Sequence, residues 1–152
     1  ISTFNCSDTG INAVTLSVDD GNNNLSTCSS IVNVEDNFPP LAFCQDITIQ
    51  LDGAGNGIVT ANEINNGSSD NCTAINLSLD ISNFDCSNVG TNVVVLTVDD
   101  ENGNSSFCNA TVNVLEDTPP IANCQNLTVI LDDQGMASIT PNQVNNGSTD
   151  NC

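Results

Sequence analysis

The fold is decided by a valine-rich stretch that reads Val93-Val94-Val95-Leu96-Thr97-Val98. A second apolar run follows an acidic turn and reads Ala110-Thr111-Val112-Asn113-Val114, with apolar and polar residues alternating. β-Branched residues are enriched in strands, and a period of two places every second side chain on the same face. The two runs therefore predict two strands, each with one buried face.

The same pattern recurs with a period of 80 residues. Residues 1–36 match residues 81–116 at 19 of 36 positions, and residues 37–72 match residues 117–152 at 18 of 36, without a gap. Such periodicity indicates tandem copies of one structural unit. We therefore interpret residues 37–116 as a complete repeat, residues 1–36 as the C-terminal half of a repeat, and residues 117–152 as the N-terminal half of the next.

The complete repeat contains further short elements. Alternation marks residues 47–51 and 75–81 as strands, and residues 58–60 follow a glycine-rich turn as a short strand. The run Thr60-Ala61-Asn62-Glu63 has the form of a capping box, so one helical turn is expected there, stopped by Gly67. Short strands, polar turns and the lack of a long helical pattern predict an all-β sandwich.

The composition restricts the function classes. The chain has 19 Asp and Glu residues, no Lys, Arg or His, and a net charge of −19. Nucleic acids and anionic membranes are excluded as partners, because binding phosphate needs cationic side chains. No stretch of sequence is typical of membrane insertion. The chain is not expected to be an enzyme, because without His, Lys, Arg, Tyr and Trp it has no phosphate or oxyanion clamp.

Eight cysteines, four for each period of the repeat, predict a disulfide framework. Disulfides persist in oxidising compartments, so an extracellular or cell-surface location is expected. The four cysteines of the complete repeat allow three pairings. Pairing Cys72 with Cys86 closes a 15-residue loop, which contributes roughly 3 kcal/mol in the chain-entropy model.

The arrangement of prolines, cysteines, acids and glycines also matches a known pattern. The matching positions are Pro39-Pro40, Cys44, Asp70-Asn71, Gly90, Val94, Asp99, Gly103-Asn104, Cys108, Val112 and Val114. With these residues the chain resembles, over its whole length, the hyalin-repeat (HYR) domain, and in particular its tandem versions in secreted surface proteins of Bacteroidetes-type bacteria. Gln45 departs from the pattern, because many members have Pro there, and Cys72 with Cys86 is an added pair.

The resemblance implies tandem immunoglobulin-like β-sandwich repeats of period 80, with a role in adhesion or architecture rather than catalysis. It also implies a disulfide between Cys44 and Cys108 that ties the first strand of the repeat to the last. The remaining pair is then Cys72 with Cys86.

Acidic turns are candidate calcium sites. The turn Asp100-Glu101-Asn102-Gly103-Asn104 places oxygen-bearing side chains at alternate positions, and residues 20–24 repeat the arrangement. Alternate oxygens in a tight turn converge on a hard cation such as Ca²⁺. Further acids, Asp70 and Asp150 among them, cluster where repeats meet and repel one another unless a cation bridges them. The alternative is a solvated acidic turn. The candidate ligands are Asp20, Asn22, Asn24, Asp36, Asp99, Asp100, Asn102, Asn104 and Asp117.

Nine Asn-x-Ser/Thr sequons are present, and glycans attached there would add solubility and cover sheet edges. The sequon at Asn71 adjoins a predicted disulfide and ranks below the loop sites. The alternative is chance, because the chain is rich in Asn, Ser and Thr. The candidate glycosylation residues are Asn5, Asn24, Asn66, Asn76, Asn104, Asn109, Asn126 and Asn146.

Together these features predict a segment of an extracellular filament or surface stalk, stiffened by calcium, in which sandwiches alternate with acidic Pro-Pro joints. The alternative function is a spacer in a cell-surface adhesin whose binding tip lies elsewhere. The expected partners are copies of the chain or adjacent repeats, arranged head to tail, and covalently attached glycans.

The two half-repeats leave Cys6, Cys28, Cys124 and Cys152 without partners in their own repeat. In a head-to-tail array Cys124 is expected to meet the next copy of Cys28, and Cys152 the next copy of Cys6. Either a longer chain continues beyond both ends, or separate subunits complete each other's domains, and the sequence favours the continuous tandem chain.

Overall fold

The chain is all-β, as predicted. The computed structural model describes residues 3–72 and 74–152. Within these residues eight strands, two one-turn α-helices and two 3-10 turns (Cys6–Asp8 and Cys86–Asn88) are present. The strands are β1 (Gly10–Asp19), β2 (Leu25–Val34), β3 (Ile47–Gln50), β4 (Asn56–Ile58), β5 (Asn76–Leu79), β6 (Asn83–Asp85), β7 (Gly90–Asp99) and β8 (Ser105–Leu115), and the helices are α1 (Ala61–Ile64) and α2 (Pro141–Val144).

Three sheets connect these strands. β1 and β2 form a two-stranded antiparallel sheet that runs from the pair Gly10↔Val34 to the pair Asp19↔Leu25. A four-stranded sheet has the order β3-β8-β7-β5, with β3 parallel to β8 and β5 antiparallel to β7. β4 and β6 form a third, antiparallel pair. The valine-rich stretch therefore lies in β7, at the centre of the largest sheet, where β-branched residues are favoured.

The chain divides into two compact units, and each collects three segments. The first unit contains the described residues of Ile1–Gln45 with Thr60–Asp80 and Val94–Ala110, and the second contains Asp46–Val59, Ile81–Val93 and Thr111–Cys152. Alternate residues of the long strands are buried, as their apolar-polar pattern requires. The buried apolar residues of the first unit are Ile64, Val94, Leu96, Val98 and Ala110. Those of the second are Leu51, Val59, Phe84, Val112 and Val114.

The predicted helical turn is present but ends early. The Thr60 backbone N–H donates to Glu63 Oε2 at 2.7 Å, which forms one arm of the predicted capping box. The helix ends at Ile64 with Asn65 already extended, so Gly67 lies beyond the helix and does not stop it. The strand expected at residues 58–60 begins and ends two residues earlier, as β4, because Thr60 caps the helix. No helix in the described residues is long and apolar enough to span a membrane.

The disulfide pattern confirms one predicted bond and corrects the other. Cys44 is bonded to Cys108, as the hyalin-repeat resemblance implies. The predicted bond between Cys72 and Cys86 is wrong, because Cys72 is bonded to Cys6. The expected pairing of Cys152 with the next copy of Cys6 is also wrong, because Cys152 is bonded to Cys86.

The physical reason is that much of the described chain between Cys72 and Cys86 is extended, at residues 76–79 and 83–85. Its residues include β5, which pairs with β7, and β6, which pairs with β4. A four-residue strand spans roughly 13 Å, whereas bonded cysteines have Cα atoms about 4.4–6.8 Å apart. The Cα separations are 4.9 Å for Cys6–Cys72 and 5.3 Å for Cys86–Cys152.

Candidate metal centre

The turn between β7 and β8 is organised by the Asp100 carboxylate. Asp100 Oδ1 accepts hydrogen bonds from the backbone N–H groups of Asn102 at 2.9 Å and Asn104 at 2.8 Å. The Asn104 side-chain amide donates to Asp100 Oδ2 at 2.7 Å. Gly103 takes a positive φ of 97°, which glycine adopts without steric cost. The alternating polar residues noted in the sequence therefore fold back on one carboxylate.

A second acid, Asp36, packs against this turn. The Asn104 amide donates to the Asp36 carbonyl oxygen at 3.0 Å, and the Asn102 amide donates to Asp36 Oδ2 at 3.5 Å. The Phe38 backbone N–H donates to Asp36 Oδ1 at 3.1 Å. Asp36 is only 9% exposed and Asp100 only 6%. Because Asp36 lies three residues before Pro39, these contacts attach the segment that leads into the Pro39-Pro40 joint to the turn.

A third acid, Asp70, completes the cluster. One carboxylate oxygen from each of Asp36, Asp70 and Asp100 lies within 4.8 Å of the other two. Asp70 Oδ2 also accepts a hydrogen bond from the Cys72 backbone N–H at 2.8 Å. Since Cys72 is bonded to Cys6, the same disulfide holds Asp70 close to the segment that precedes the joint. We call Asp36, Asp70 and Asp100 the acidic triad.

The electrostatics of the acidic triad are unusual because the chain has no Lys, Arg or His to offset it. Burial acts to raise the pKa of Asp100, but the hydrogen bonds donated by the Asn104 side chain and by the backbone of the turn together lower it. Asp100 therefore favours the charged form despite its burial. Closely spaced carboxylates repel one another, and hard oxygen donors in such an arrangement suit a divalent cation such as Ca²⁺.

The structure brings together part of the predicted ligand set. Asp36, Asp100, Asn102 and Asn104 meet as described above. The predicted ligands that do not join the triad are Asp20, Asn22, Asn24, Asp99 and Asp117, and the described residues contain no second cluster of this kind. Asp99 lies in β7, where it pairs with Asn76 of β5.

The turn at residues 20–24 repeats the local chemistry but not the cluster. Asp20 Oδ1 accepts from the Asn22 and Asn24 backbone N–H groups at 2.8 Å and 3.2 Å, and the Asn24 amide donates to Asp20 Oδ2 at 2.7 Å. These bonds, led by the Asn24 side chain, lower the pKa of Asp20. The turn is fully exposed, and no other acid gathers around it among the described residues.

Asp70 is the ligand candidate that sequence reasoning did not select, although it was grouped with the acids near repeat ends. The missing signal was the disulfide pairing. Once Cys72 is known to bond Cys6 rather than Cys86, Asp70 is placed beside the segment that leads into Asp36. The sequence periodicity did not supply that information.

The glycosylation candidates are exposed with one exception. The exception is Asn104, which is half-buried and whose side-chain amide donates to both Asp36 and Asp100. A glycan on that nitrogen would replace a hydrogen that the turn uses. Asn104 is therefore better explained as part of the acidic turn than as a glycan acceptor.

No protein-family model matches the chain, and no curated protein matches it. The resemblance to hyalin repeats therefore stays a prediction from the residues quoted for it.

Proposed function

We propose that the chain is a segment of an extracellular filament or surface stalk built from tandem immunoglobulin-like repeats, with Ca²⁺ bound at the joint between repeats. The observation that carries the proposal is the pair of disulfides Cys6–Cys72 and Cys86–Cys152, each 66 residues apart. Each bond connects a cysteine before a Pro-Pro joint with a cysteine after it. Consecutive repeats are then joined twice, once by the backbone and once by a disulfide.

A double connection has a mechanical consequence. A single backbone linker permits rotation about its bonds, and the relative motion of neighbouring domains is the usual expectation for such a linker. A disulfide across the joint removes much of that freedom, and proline at two consecutive positions fixes two φ angles. Stiff joints repeated along a chain produce a rod, which suits a filament or a stalk better than a flexible tether.

Calcium would act on the same joint. The acidic triad combines Asp36, from before the Pro39-Pro40 joint, with Asp70 and Asp100, from after it. A cation shared by these carboxylates neutralises their repulsion and holds both sides of the joint together. The disulfide and the cation would therefore both stiffen the joint. The extracellular space supplies the oxidising conditions that the disulfide needs and abundant Ca²⁺.

The immunoglobulin-like character of the repeat is supported by its strands and its internal disulfide. Residues 37–116 contain β3 to β8, arranged in a four-stranded and a two-stranded sheet. The Cys44–Cys108 bond ties residues near the two ends of this segment. This arrangement fits a small sandwich that relies on a covalent staple because its core is modest.

Backbone amide hydrogen exchange at the joint, measured on the whole chain, tests whether Ca²⁺ binds there. The reporters are the backbone N–H groups of Phe38 and Leu41, which donate to Asp36 Oδ1 and to the Ser69 carbonyl. Ca²⁺ is expected to slow exchange at both positions in the wild type and in Asp20→Asn, and to leave Asp100→Asn unchanged. Equal responses in the two variants would remove calcium from the acidic triad.

Electron microscopy of fibres that contain this chain tests the filament. Straight fibres that soften after EGTA treatment are expected. Fibres whose straightness does not change with EGTA would support the filament and show that calcium does not stiffen it. Isolated short particles, ending in a divergent domain, would reject the filament and favour the adhesin spacer.

A further inference from the structure

The Cys86–Cys152 disulfide, which crosses the Pro119-Pro120 joint, lies directly against Gly55. A methyl group added at Gly55 would be 2.7 Å from Cys86 Sγ and 3.5 Å from Cys152 Sγ. Non-bonded heavy atoms in a close-packed protein are best separated by about 3.5–4.0 Å, so a carbon atom at the shorter distance would displace the sulfur. Only a residue without a side chain therefore leaves room for this bond in its observed position.

Strand pairing brings Gly55 to this position. β4 and β6 are antiparallel, and the pair Asn56↔Asp85 lies at the end of their ladder. Gly55 precedes Asn56 and Cys86 follows Asp85, so these two residues come next beyond that pair. Asp85 Oδ1 accepts a hydrogen bond from the Ser87 backbone N–H at 2.8 Å and caps the 3-10 turn that begins at Cys86. The backbone on the cysteine side of the contact is therefore held in place locally.

The glycine side of the contact is held in place by Asp52. Asp52 Oδ1 accepts hydrogen bonds from the backbone N–H groups of Ala54 and Asn56, each at 2.9 Å. The Gly55 N–H donates to the Asp52 carbonyl oxygen at 2.9 Å, and Gly55 takes a positive φ of 77°. We call residues 52–56 the Asp52 loop. Its shape is set by its own hydrogen bonds, so it offers a preformed surface to the disulfide.

The chain beyond the joint also contacts the Asp52 loop. The Asn151 side-chain amide donates to the Asp52 carbonyl oxygen at 3.4 Å. The Asn151 carbonyl oxygen lies 3.2 Å from Cys86 Sγ. Gly53 and Pro119 line the same cavity of about 220 Å³. Segments from both sides of the joint therefore meet at this loop.

We propose that the Asp52 loop is the docking surface for the chain that follows the Pro119-Pro120 joint, and that Gly55 is a positioning residue for the Cys86–Cys152 disulfide. Because Gly55 has no Cβ, the two sulfur atoms meet against the loop without displacement. The loop therefore sets how readily this bond forms and how well it resists reduction. The inference rests on the proposed function, in which the bond stiffens the joint, and it assigns the surface that holds the bond in place.

Formation of the bond is a two-electron oxidation that needs an electron acceptor. The Cys86 and Cys152 thiols lose two protons and two electrons as the S–S bond forms. Oxidised glutathione accepts the electrons in two exchange steps. One cysteine thiolate displaces a first glutathione thiol to give a mixed disulfide, and the other cysteine thiolate displaces the second. The second step depends on the local concentration of one cysteine beside the other, which the Asp52 loop raises by holding the two segments together.

A matched pair of glycine variants tests the proposal on the whole chain. Gly135 has the same loop conformation as Gly55, because its φ is 75° and Asp132 Oδ1 accepts hydrogen bonds from two backbone N–H groups at 2.9 Å. A methyl group added at Gly135 would meet nothing within 4 Å. Gly55→Ala and Gly135→Ala therefore introduce the same backbone strain. Only Gly55→Ala also places a methyl group against the disulfide.

The measurement is the redox equilibrium of each disulfide in glutathione buffers. Free thiols are alkylated, and the cysteine peptides are quantified by mass spectrometry after cleavage beside acidic residues, because the chain has no Lys or Arg for trypsin. Gly55→Ala is expected to lower the equilibrium constant for oxidation of Cys86–Cys152 by at least about tenfold, which corresponds to about 30 mV. Cys6–Cys72 should not change, and Gly135→Ala should change neither bond. No shift in Gly55→Ala, or equal shifts in the two variants, would overturn the inference.

Removal of the two cysteines keeps the test decisive where Gly55→Ala does not fold. In a Cys86→Ser/Cys152→Ser background the sulfur atoms are absent, so Gly55→Ala and Gly135→Ala should lower the urea midpoint of unfolding equally. In the bonded chain Gly55→Ala should lower the midpoint further than Gly135→Ala does, or prevent folding. An excess cost of Gly55→Ala that persists without the sulfur atoms would assign Gly55 to the shape of the loop alone and overturn the inference.

Peptide mapping of the wild type separates this inference from the proposed function. A wild type without a Cys86–Cys152 bond would overturn both. A bond with the same reduction potential in all variants would overturn only the role of Gly55, because the backbone and the disulfide would still cross the joint. The acidic triad lies in the other compact unit, so its response to Ca²⁺ should be the same in both glycine variants.

Discussion

The strand pairs β1–β2 and β7–β8 have closely similar sequences and very different surroundings. In β7 the side chains of Leu96 and Val98 are buried, and in β1 those of Leu16 and Val18 are exposed. β7 and β8 are flanked by β5 and β3, whereas β1 and β2 pair only with each other in the described chain. The difference teaches that the local sequence is sufficient for the hairpin, and that burial requires the other half of the repeat.

The acidic turns at the ends of these strand pairs make the same point. Both turns wrap an Asp carboxylate with backbone and Asn donors in the same pattern. Only the turn after β7 meets Asp36 and Asp70. Among the described residues, the candidate metal centre therefore involves one copy of the repeated motif, the copy that meets acids from two distant segments.

The largest expected effect comes from breaking the disulfide that crosses the first joint. Cys6→Ser/Cys72→Ser should lower the free energy of unfolding by about 4 kcal/mol, the chain-entropy value for a loop of this length. Cys28→Ser, also within residues 1–36, should change it little because Cys28 is exposed and unbonded. Urea unfolding followed by far-ultraviolet circular dichroism measures both, since the chain has no Trp or Tyr. Equal losses in the two variants would contradict the assigned pairing.

Truncation of equivalent leucines should give the next largest difference. Leu96→Ala removes a fully buried side chain and should cost about 3 kcal/mol of unfolding free energy. Leu16→Ala should cost less than about 0.5 kcal/mol in the dilute monomer, because an exposed side chain loses little packing. The same unfolding experiment compares them.

Calcium should distinguish the two acidic turns. At a Ca²⁺ concentration 100-fold above its dissociation constant, binding to the folded chain adds about 2.7 kcal/mol to the free energy of unfolding. The gain should survive in Asp20→Asn and disappear in Asp100→Asn. Thermal unfolding with Ca²⁺ and with EGTA measures it, with Mg²⁺ as a control for general charge screening. A gain lost equally in both variants would indicate non-specific binding to the acidic surface.

Acid titration should give the smallest effect and the finest comparison. The pKa values of Asp20 and Asp100 are both lowered by hydrogen bonds. The stabilisation from each is present above the unfolded-state pKa of about 3.9 and is lost as the pH falls through the lower folded-state value. Asn104→Ala should raise the pKa of Asp100 more than Asn24→Ala raises that of Asp20, because burial opposes ionisation at Asp100. Carboxyl carbon shifts in an NMR titration report each site, and equal shifts would show that burial has no influence.

Much of the fold was accessible from the sequence, for physical reasons that are local. Apolar-polar alternation located β3, β5, β7 and β8, and the capping-box pattern located the helix that begins after Thr60. The acidic turns were predicted from alternating Asp and Asn residues, and their hydrogen bonds close within five residues. Each of these features depends on neighbours in the chain, so a single sequence contains the information.

Features that depend on distant segments were missed or left open. Cys72 and Cys86 are each bonded to a cysteine 66 positions away, across a joint. The predicted Cys72–Cys86 bond joined cysteines close in sequence, but sequence separation does not show how far apart extended strands hold two residues. The role of Asp70 in the acidic triad depended on the Cys6–Cys72 bond.

By itself, the sequence determined the period of 80 residues, the strands, the acidic turns and the excess of negative charge. Only the tertiary structure decided which cysteines meet, which of two similar turns gathers three carboxylates, and which of two similar strands is buried. The physical reason is that propensity and periodicity act between near neighbours, whereas burial, disulfide pairing and ligand geometry are set by segments that meet only in the folded chain.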